Sequence, residues 1–149
     1  MPLTDAELVE RMNRRVPPTA LLLGSKILAV DSAAGRVRMS FEPRPEFCNP
    51  MGNVQGGFIV AMLDDAAAMA AIVMSGQRIV VPTIELKTSF FAPARVATLF
   101  AEARCLKLGR RVAFMEAELF DGTGKLIAKL STSALPTPMP ADATLVEKT

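Results

Sequence analysis

From Gly56 to Ser75 the chain reads "GGFIVAMLDDAAAMAAIVMS", apolar on every helical face and interrupted only by Asp64 and Asp65. A helix of that kind must be covered on most of its surface, by a sheet, by other helices or by a second subunit. The two carboxylates make it a poor membrane span, because burying an ionised carboxylate unpaired costs on the order of several kcal/mol. At about 1.5 Å per residue the helix is about 30 Å long. It is expected to be the core of the fold.

The flanking segments supply the cover. "LTDAELVERMNRR" reads as a short amphipathic helix with Thr4 as N-cap and Glu7 three residues on, ended by Pro17-Pro18. A hairpin follows, Ile27 to Asp31 and Arg36 to Phe41, turning at Ala33 to Gly35. "PRPEFCNPMGN" is loop. After the Gly76-Gln77 break the period changes to two: "TIELKTSFF" alternates, and Pro93 stops it. "ATLFAEARCLK" and "RVAFMEAELF" are two more strands joined at Leu108-Gly109-Arg110, and "KLIAKLSTSAL" is a fourth. The tail "PTPMPADATLVEKT" is Pro-rich and expected to fray. The class is α+β, in one domain over 1–149, with an N-terminal helix and linker to about residue 20 and a flexible tail over about 136–149.

Composition excludes whole classes of chemistry. The net charge of +2, with no Trp or Tyr and no dense basic run, argues against nucleic acid as a partner. "MPLTDAELVERMNRR" lacks the apolar stretch of a signal peptide, so the expected location is cytoplasmic, with no membrane partner. Cys48 and Cys105 have no metal or redox spacing. There is no histidine, which removes His-based nucleophile systems, His-ligated zinc and any His general base. Chemistry here must rest on carboxylates, amides, hydroxyls and backbone dipoles.

Helical spacing separates the two aspartates. Asp64 shares its stripe with Gly57, Val60, Ala61, Ala68 and Ala71, which lets a backbone or narrow ligand approach. Asp65 shares the bulkier stripe of Phe58, Met62, Met69 and Ile72. Gly56-Gly57 exposes backbone N–H groups at the positive end of the helix dipole, suited to an anion or a polarised carbonyl oxygen. Gly56 and Asp64 are about 12 Å apart by helical rise, too far to act on one carbonyl within a single chain. Two antiparallel copies of the helix related by a two-fold axis would bring them together. Each feature also has a plain structural role: a solvated carboxylate, a glycine turn, an Asn in a turn.

"NPMGNVQGGFIVAMLDDAAAMAA" followed by "VVPTIELKTSFFAPA" resembles the hotdog-fold acyl-CoA thioesterases, particularly the PaaI-like branch, over about Phe41 to Leu135. The resemblance implies a curved antiparallel sheet wrapped around the long helix, assembled as a homodimer or dimer of dimers. It implies hydrolysis of an acyl-CoA, with coenzyme A part of the substrate and no cofactor or metal. By position, Asn49 falls on the loop Asn that helps hold the thioester carbonyl, and Gly56 on the residue whose N–H polarises it. Asp64 falls on the helical carboxylate that acts as base or nucleophile, and Thr83 on a small hydroxyl that orients water. Asp65 has no counterpart. The motif His is Gln55 here, which can donate a hydrogen bond but cannot shuttle a proton. That departure keeps open a non-catalytic protein that binds an acyl-CoA or acyl carrier. Arg110 and Arg111 are candidates for the CoA phosphates, or else a solvated turn. Phe58, Met62 and Phe90 are candidate acyl-pocket walls, or else core.

Overall fold

A computed structural model describes residues 1–149. Its elements run α1 (Asp5–Arg14), β1 (Arg15–Val16), α2 (Pro18–Leu23), β2 (Lys26–Asp31), β3 (Arg36–Phe41), α3 (Gly56–Met74), β4 (Ile79–Val80), β5 (Thr83–Phe90), β6 (Leu99–Leu108), β7 (Ala113–Phe120), β8 (Leu126–Ala134), β9 (Thr137–Pro138) and β10 (Val146–Glu147). A 3-10 turn at Pro45–Phe47 precedes α3. Six strands form one antiparallel sheet in the order β2-β3-β6-β7-β8-β5, with β5 as one edge.

The alternation read from the sequence sets the two faces of this sheet. On β6 and β7 the buried positions are Leu99, Ala101, Ala103 and Cys105, then Ala113, Met115, Ala117 and Leu119. The positions between them carry Glu102, Arg104, Glu116 and Glu118, outside, where Arg104 pairs with Glu116. Against the inner face lies α3, contributing Ile59, Met62, Leu63, Ala66, Ala67, Ala70, Ala71 and Val73 to one core cluster. By length and mean hydropathy of 1.8 α3 could cross a bilayer, but here the sheet covers its most apolar face.

Local chemistry explains the ends of the elements. Thr4 and Glu7 form the expected reciprocal capping box at α1. Pro17-Pro18 was expected only to end a helix, yet Pro18 also opens α2, where the first helical position needs no N–H. The C-terminal residues, expected to fray, instead pair twice: β9 with β4, and β10 with β1. Lys148 adds its Nζ to Ser25 O at 2.8 Å and its backbone N–H to Arg14 O at 2.9 Å.

One side chain ties α1 to the sheet edge. Asn13 Oδ1 accepts the Ile27 N–H at 2.9 Å and Asn13 Nδ2 donates to Ile27 O at 2.8 Å, where β2 shifts register. Asn13→Ala leaves both backbone groups without these partners, a cost of about 1–3 kcal/mol. Urea denaturation is expected to show that loss as a lower midpoint with unchanged slope.

Candidate active site

The loop before α3 is held tightly. Phe47 stacks on Phe58 of α3, with ring centroids 4.1 Å apart and planes within 6°. Gln55 N–H donates to Phe47 O at 2.8 Å, and Val54 N–H to Ala94 O at 2.9 Å, so the loop is fastened to the segment after β5 as well. Asn49 Oδ1 accepts the N–H groups of Met51 and Asn53, at 3.0 and 3.2 Å. That fixes which end of the amide is oxygen, and leaves Nδ2 as the donor Asn49 can offer a ligand.

Gln55 is the N-cap of α3, but its exposed side chain makes no capping hydrogen bond. The N–H groups of Gly56 and Gly57 have no acceptor in the chain, since the Gln55 carbonyl takes the N–H groups of Phe58 and Ile59. They are the free donors of the first helical turn. Gly56 also faces Phe90: a Cβ added there would lie 3.3 Å from the ring's Cζ, so a larger residue would require the half-exposed ring to shift by a few tenths of an ångström.

The two aspartates leave α3 on opposite flanks of its open side, because successive residues turn by about 100°. Asp64 faces the first residue of β5. Thr83 Oγ1 donates to Asp64 Oδ1 at 2.9 Å, which orients the carboxylate and leaves its other oxygen free. Asp65 retains some exposure, but loss of water around its carboxyl, and then the charge of Asp64, push its pKa up to about 7. The raised acid is thus the residue for which the resemblance implied no role.

The register relates the remaining candidates. Thr83 pairs with Ala134, and Ala134 with Ala113, so the β6–β7 turn carrying Arg110 and Arg111 lies at the Thr83 end of the sheet. Two strand spacings make that about 10 Å. Both arginines are exposed. The turn is tight at Gly109, where a Cβ would come within 2.5 Å of Val112 O. Of the three candidate pocket walls, Met62 is fully buried core and Phe58 is stacked on Phe47, whereas Phe90 is 50 % exposed. Only Phe90 keeps a broad face for a ligand. The chain therefore brings Asp64 to Thr83 at one end of β5, and Gly56 to Phe90 at the other.

Residues 51–128 match the family profile of the thioesterase superfamily. The chain belongs to that family. It is similar to the phenylacetic acid degradation-related protein of Ralstonia eutropha JMP134, at 37% identity and a TM-score of 0.76, covering 80% of this chain and 90% of that one. It is 28% identical to human acyl-coenzyme A thioesterase 13 over 106 residues, 70% of this chain and 75% of that protein. The E. coli PaaI protein from the phenylacetic acid degradation operon shares the fold, with a TM-score of 0.73, 19% identity and coverage of 89% and 90%. The fold is the expected hotdog, the PaaI-like resemblance stands, and the chain is a thioester hydrolase by family.

A carboxylic acid whose folded pKa lies above its unfolded value of 3.8 binds its proton more tightly in the folded state. For Asp65 this means stability is lost as pH rises from about 4 to about 7, with no further loss above. Asp65→Asn removes that dependence. The difference in Tm between Asp65→Asn and wild type is expected to grow in favour of the variant across this window, then level off. A constant difference from pH 4 to 8 would show an ordinary carboxylate.

Proposed function

We propose that this thioesterase hydrolyses acyl-CoA thioesters in a site shared between two copies of the chain. The observation that carries the proposal is the position of the two half-sites at opposite ends of one open edge strand. β5 is hydrogen-bonded only to β8, and its other edge is free. Around it Ile84, Phe90 and Phe91 are 59%, 50% and 59% exposed. A long apolar-flanked edge of this kind calls for a partner strand. Antiparallel pairing with β5 of a second copy, centred near Leu86 and Lys87, sets the Phe90 end of one strand against the Thr83 end of the other. Gly56 of one copy then approaches Asp64 of the other, which removes the separation of about 12 Å along a single helix. A dimer of such dimers is the larger assembly that the resemblance implies.

In this reading the thioester carbonyl oxygen rests on the Gly56 N–H and the Asn49 amide, with Gln55 as a further donor. Asp64, held by Thr83, takes a proton from water as the hydroxyl oxygen attacks the carbonyl carbon; Thr83 helps place that water. Alternatively Asp64 attacks directly and water resolves the mixed anhydride. In both routes negative charge collects on the carbonyl oxygen, the C–S bond breaks, and CoA leaves as a thiolate that takes up a proton. The groups required are a carboxylate, amides and backbone N–H, so no metal or bound cofactor is invoked. Arg110 and Arg111 are assigned to the CoA phosphates. The human relative named an acyl-coenzyme A thioesterase supports the substrate class. Gln55 supports the rival reading, an acyl-CoA-binding protein that does not cleave.

Asp64→Asn separates the two. Turnover, followed as thiol release across an acyl-CoA panel, is expected to fall by about 100-fold or more while CoA-ester binding persists. Tight binding without turnover in wild type, unchanged in Asp64→Asn, would establish the binder instead. Gln55→His should keep activity within about tenfold, or about 1.4 kcal/mol, if Gln55 acts only as a donor. Light scattering is expected to give a dimer or larger assembly at micromolar concentration. A stable, active monomer would overturn the shared site.

A further inference from the structure

Glu85 and Lys87 stand two residues apart on β5, the strand whose outer edge is free. Both are exposed, and neither has an ion-pair partner in its own chain, where the pairs are Arg14–Glu10, Arg15–Glu147 and Arg104–Glu116. Their neighbours on β8 are uncharged: Glu85 lies opposite Ser133, and Lys87 opposite Ser131. Further along, Lys129 lies between Ser89 of β5 and Glu118 of β7, so it has an acid beside it already. β5 thus carries one charge of each sign that the sheet does not balance.

The backbone of the open edge is set for another strand. Phe91 N–H donates to Ile127 O, and the Glu85 carbonyl accepts the Thr132 hydroxyl, so the odd-numbered residues of β5 turn their peptide groups to β8. In an antiparallel ladder the residues between them turn the other way, so the N–H and C=O groups of Leu86 and Thr88 point to the free edge. A second β5 related by a two-fold axis can use these groups in several registers, each defined by the residue that lies opposite itself. Residues directly opposite share a face, where like charges repel and unlike charges attract. Centring on Glu85 sets Glu85 against Glu85, and centring on Lys87 sets Lys87 against Lys87. Centring on Thr88 gives Lys87 only Ser89. Centring on Leu86 sets Glu85 of each copy against Lys87 of the other, once on each side of the axis.

We propose that Glu85 and Lys87 are positioning residues that fix the register of the two β5 strands about Leu86. This rests on the shared-site reading above, and adds to it the charges that bring the half-sites into line. In this register Phe90, beside Gly56, falls opposite Pro82 of the second copy, next to the Thr83 that holds Asp64. Moving the axis by one residue slides one strand past the other by two, or about 7 Å. A displacement of about 1 Å already impairs a catalytic geometry, so a site that works in one register fails in the next. The two charges touch no reacting atom and act through the alignment of the strands.

Charge reversal tests this. Glu85→Lys places four lysines at the seam and Lys87→Glu four glutamates, so each variant repels itself. By analytical ultracentrifugation at low salt, each is expected to self-associate about tenfold or more weakly than wild type. The difference should shrink in 1 M NaCl. An equimolar mixture of the two variants should recover association as heterodimers, and the double variant Glu85→Lys/Lys87→Glu should recover it alone. Thiol release from acyl-CoA should follow the same order. Unchanged association in either single variant, or no recovery in the mixture, would overturn the proposal.

Disulfide trapping reads the register directly, in a Cys48→Ala background that leaves only buried Cys105. Cysteines directly opposite lie within disulfide reach, whereas those offset by two residues, about 8 Å apart, do not. Leu86→Cys alone is expected to give a covalent dimer. A covalent dimer from Thr88→Cys alone, or only from a mixture of Leu86→Cys and Thr88→Cys, would place the axis elsewhere on β5 and overturn the register. If none of these gives a covalent dimer while light scattering shows a dimer, the contact lies away from β5, and the shared site falls as well. Absence of thiol release from wild type fails the hydrolytic reading, while the trapping still decides the register.

Discussion

The close approach of α3 to the sheet is the constraint on which the rest of the molecule depends. On the helix side the contact is made by Ala66, Ala67, Ala70 and Ala71, all fully buried. The inner face of the sheet answers with Ala101, Ala103, Ala113, Ala117, Ala128 and Ala134, in the same core cluster. Small side chains on both surfaces leave little slack, and interiors packed at crystal-like density pass a displacement on rather than absorb it. Asp64 and Gly56 are carried on that helix, and Thr83 and Phe90 on the sheet. The spacing of the alanine layers therefore sets the Thr83–Asp64 hydrogen bond and the opening beside Gly56. Core packing and site geometry are one problem here.

Adjacent residues of one helix end in different electrostatic environments. Asp64 has a hydroxyl donor and a flank that leads to the open edge of β5. Asp65 has no such donor, and loss of water and the charge beside it raise its pKa to about 7. The raised pKa of Asp65 keeps a second full charge off the turn it shares with Asp64 until the pH passes about 7. The helix start works in the opposite sense. There the free N–H groups of Gly56 and Gly57 provide positive potential without any cationic side chain.

Much of this was legible in the sequence because it is local. Thr4 and Glu7 mark α1, the alternation of "TIELKTSFF" marks β5, and the apolar run marks α3 to within a residue of its end. The candidate residues also stand out by type and spacing, and the Thr83–Asp64 contact joins two of them. What the sequence hid is non-local. Nothing in β5 says that its neighbour is β8, some forty residues on, although that pairing leaves the other edge open. Pro18 was misread because proline both ends one helix and begins the next. The elevation of Asp65 depends on how much water α3 loses in the packed fold. The tail was read from its prolines, but its pairing depends on residues near the other end of the chain.

That last pairing has a bearing on biosynthesis. Val16 lies opposite Val146, and Arg15 opposite Glu147. A ribosome extends a chain at roughly 5–20 residues per second, so α1 and α2 wait on the order of ten seconds for the strand that fastens them. Until then their apolar sides, with Leu8 and Leu23 among them, have the growing sheet but no closing seam. The hairpin of β2 and β3 can form early, whereas β5 must hold its place until β8 arrives. Folding of this chain is thus completed from the C-terminal side. An interruption in synthesis after β7 leaves a nascent chain with two unguarded strand edges, the state that chaperones exist to shield.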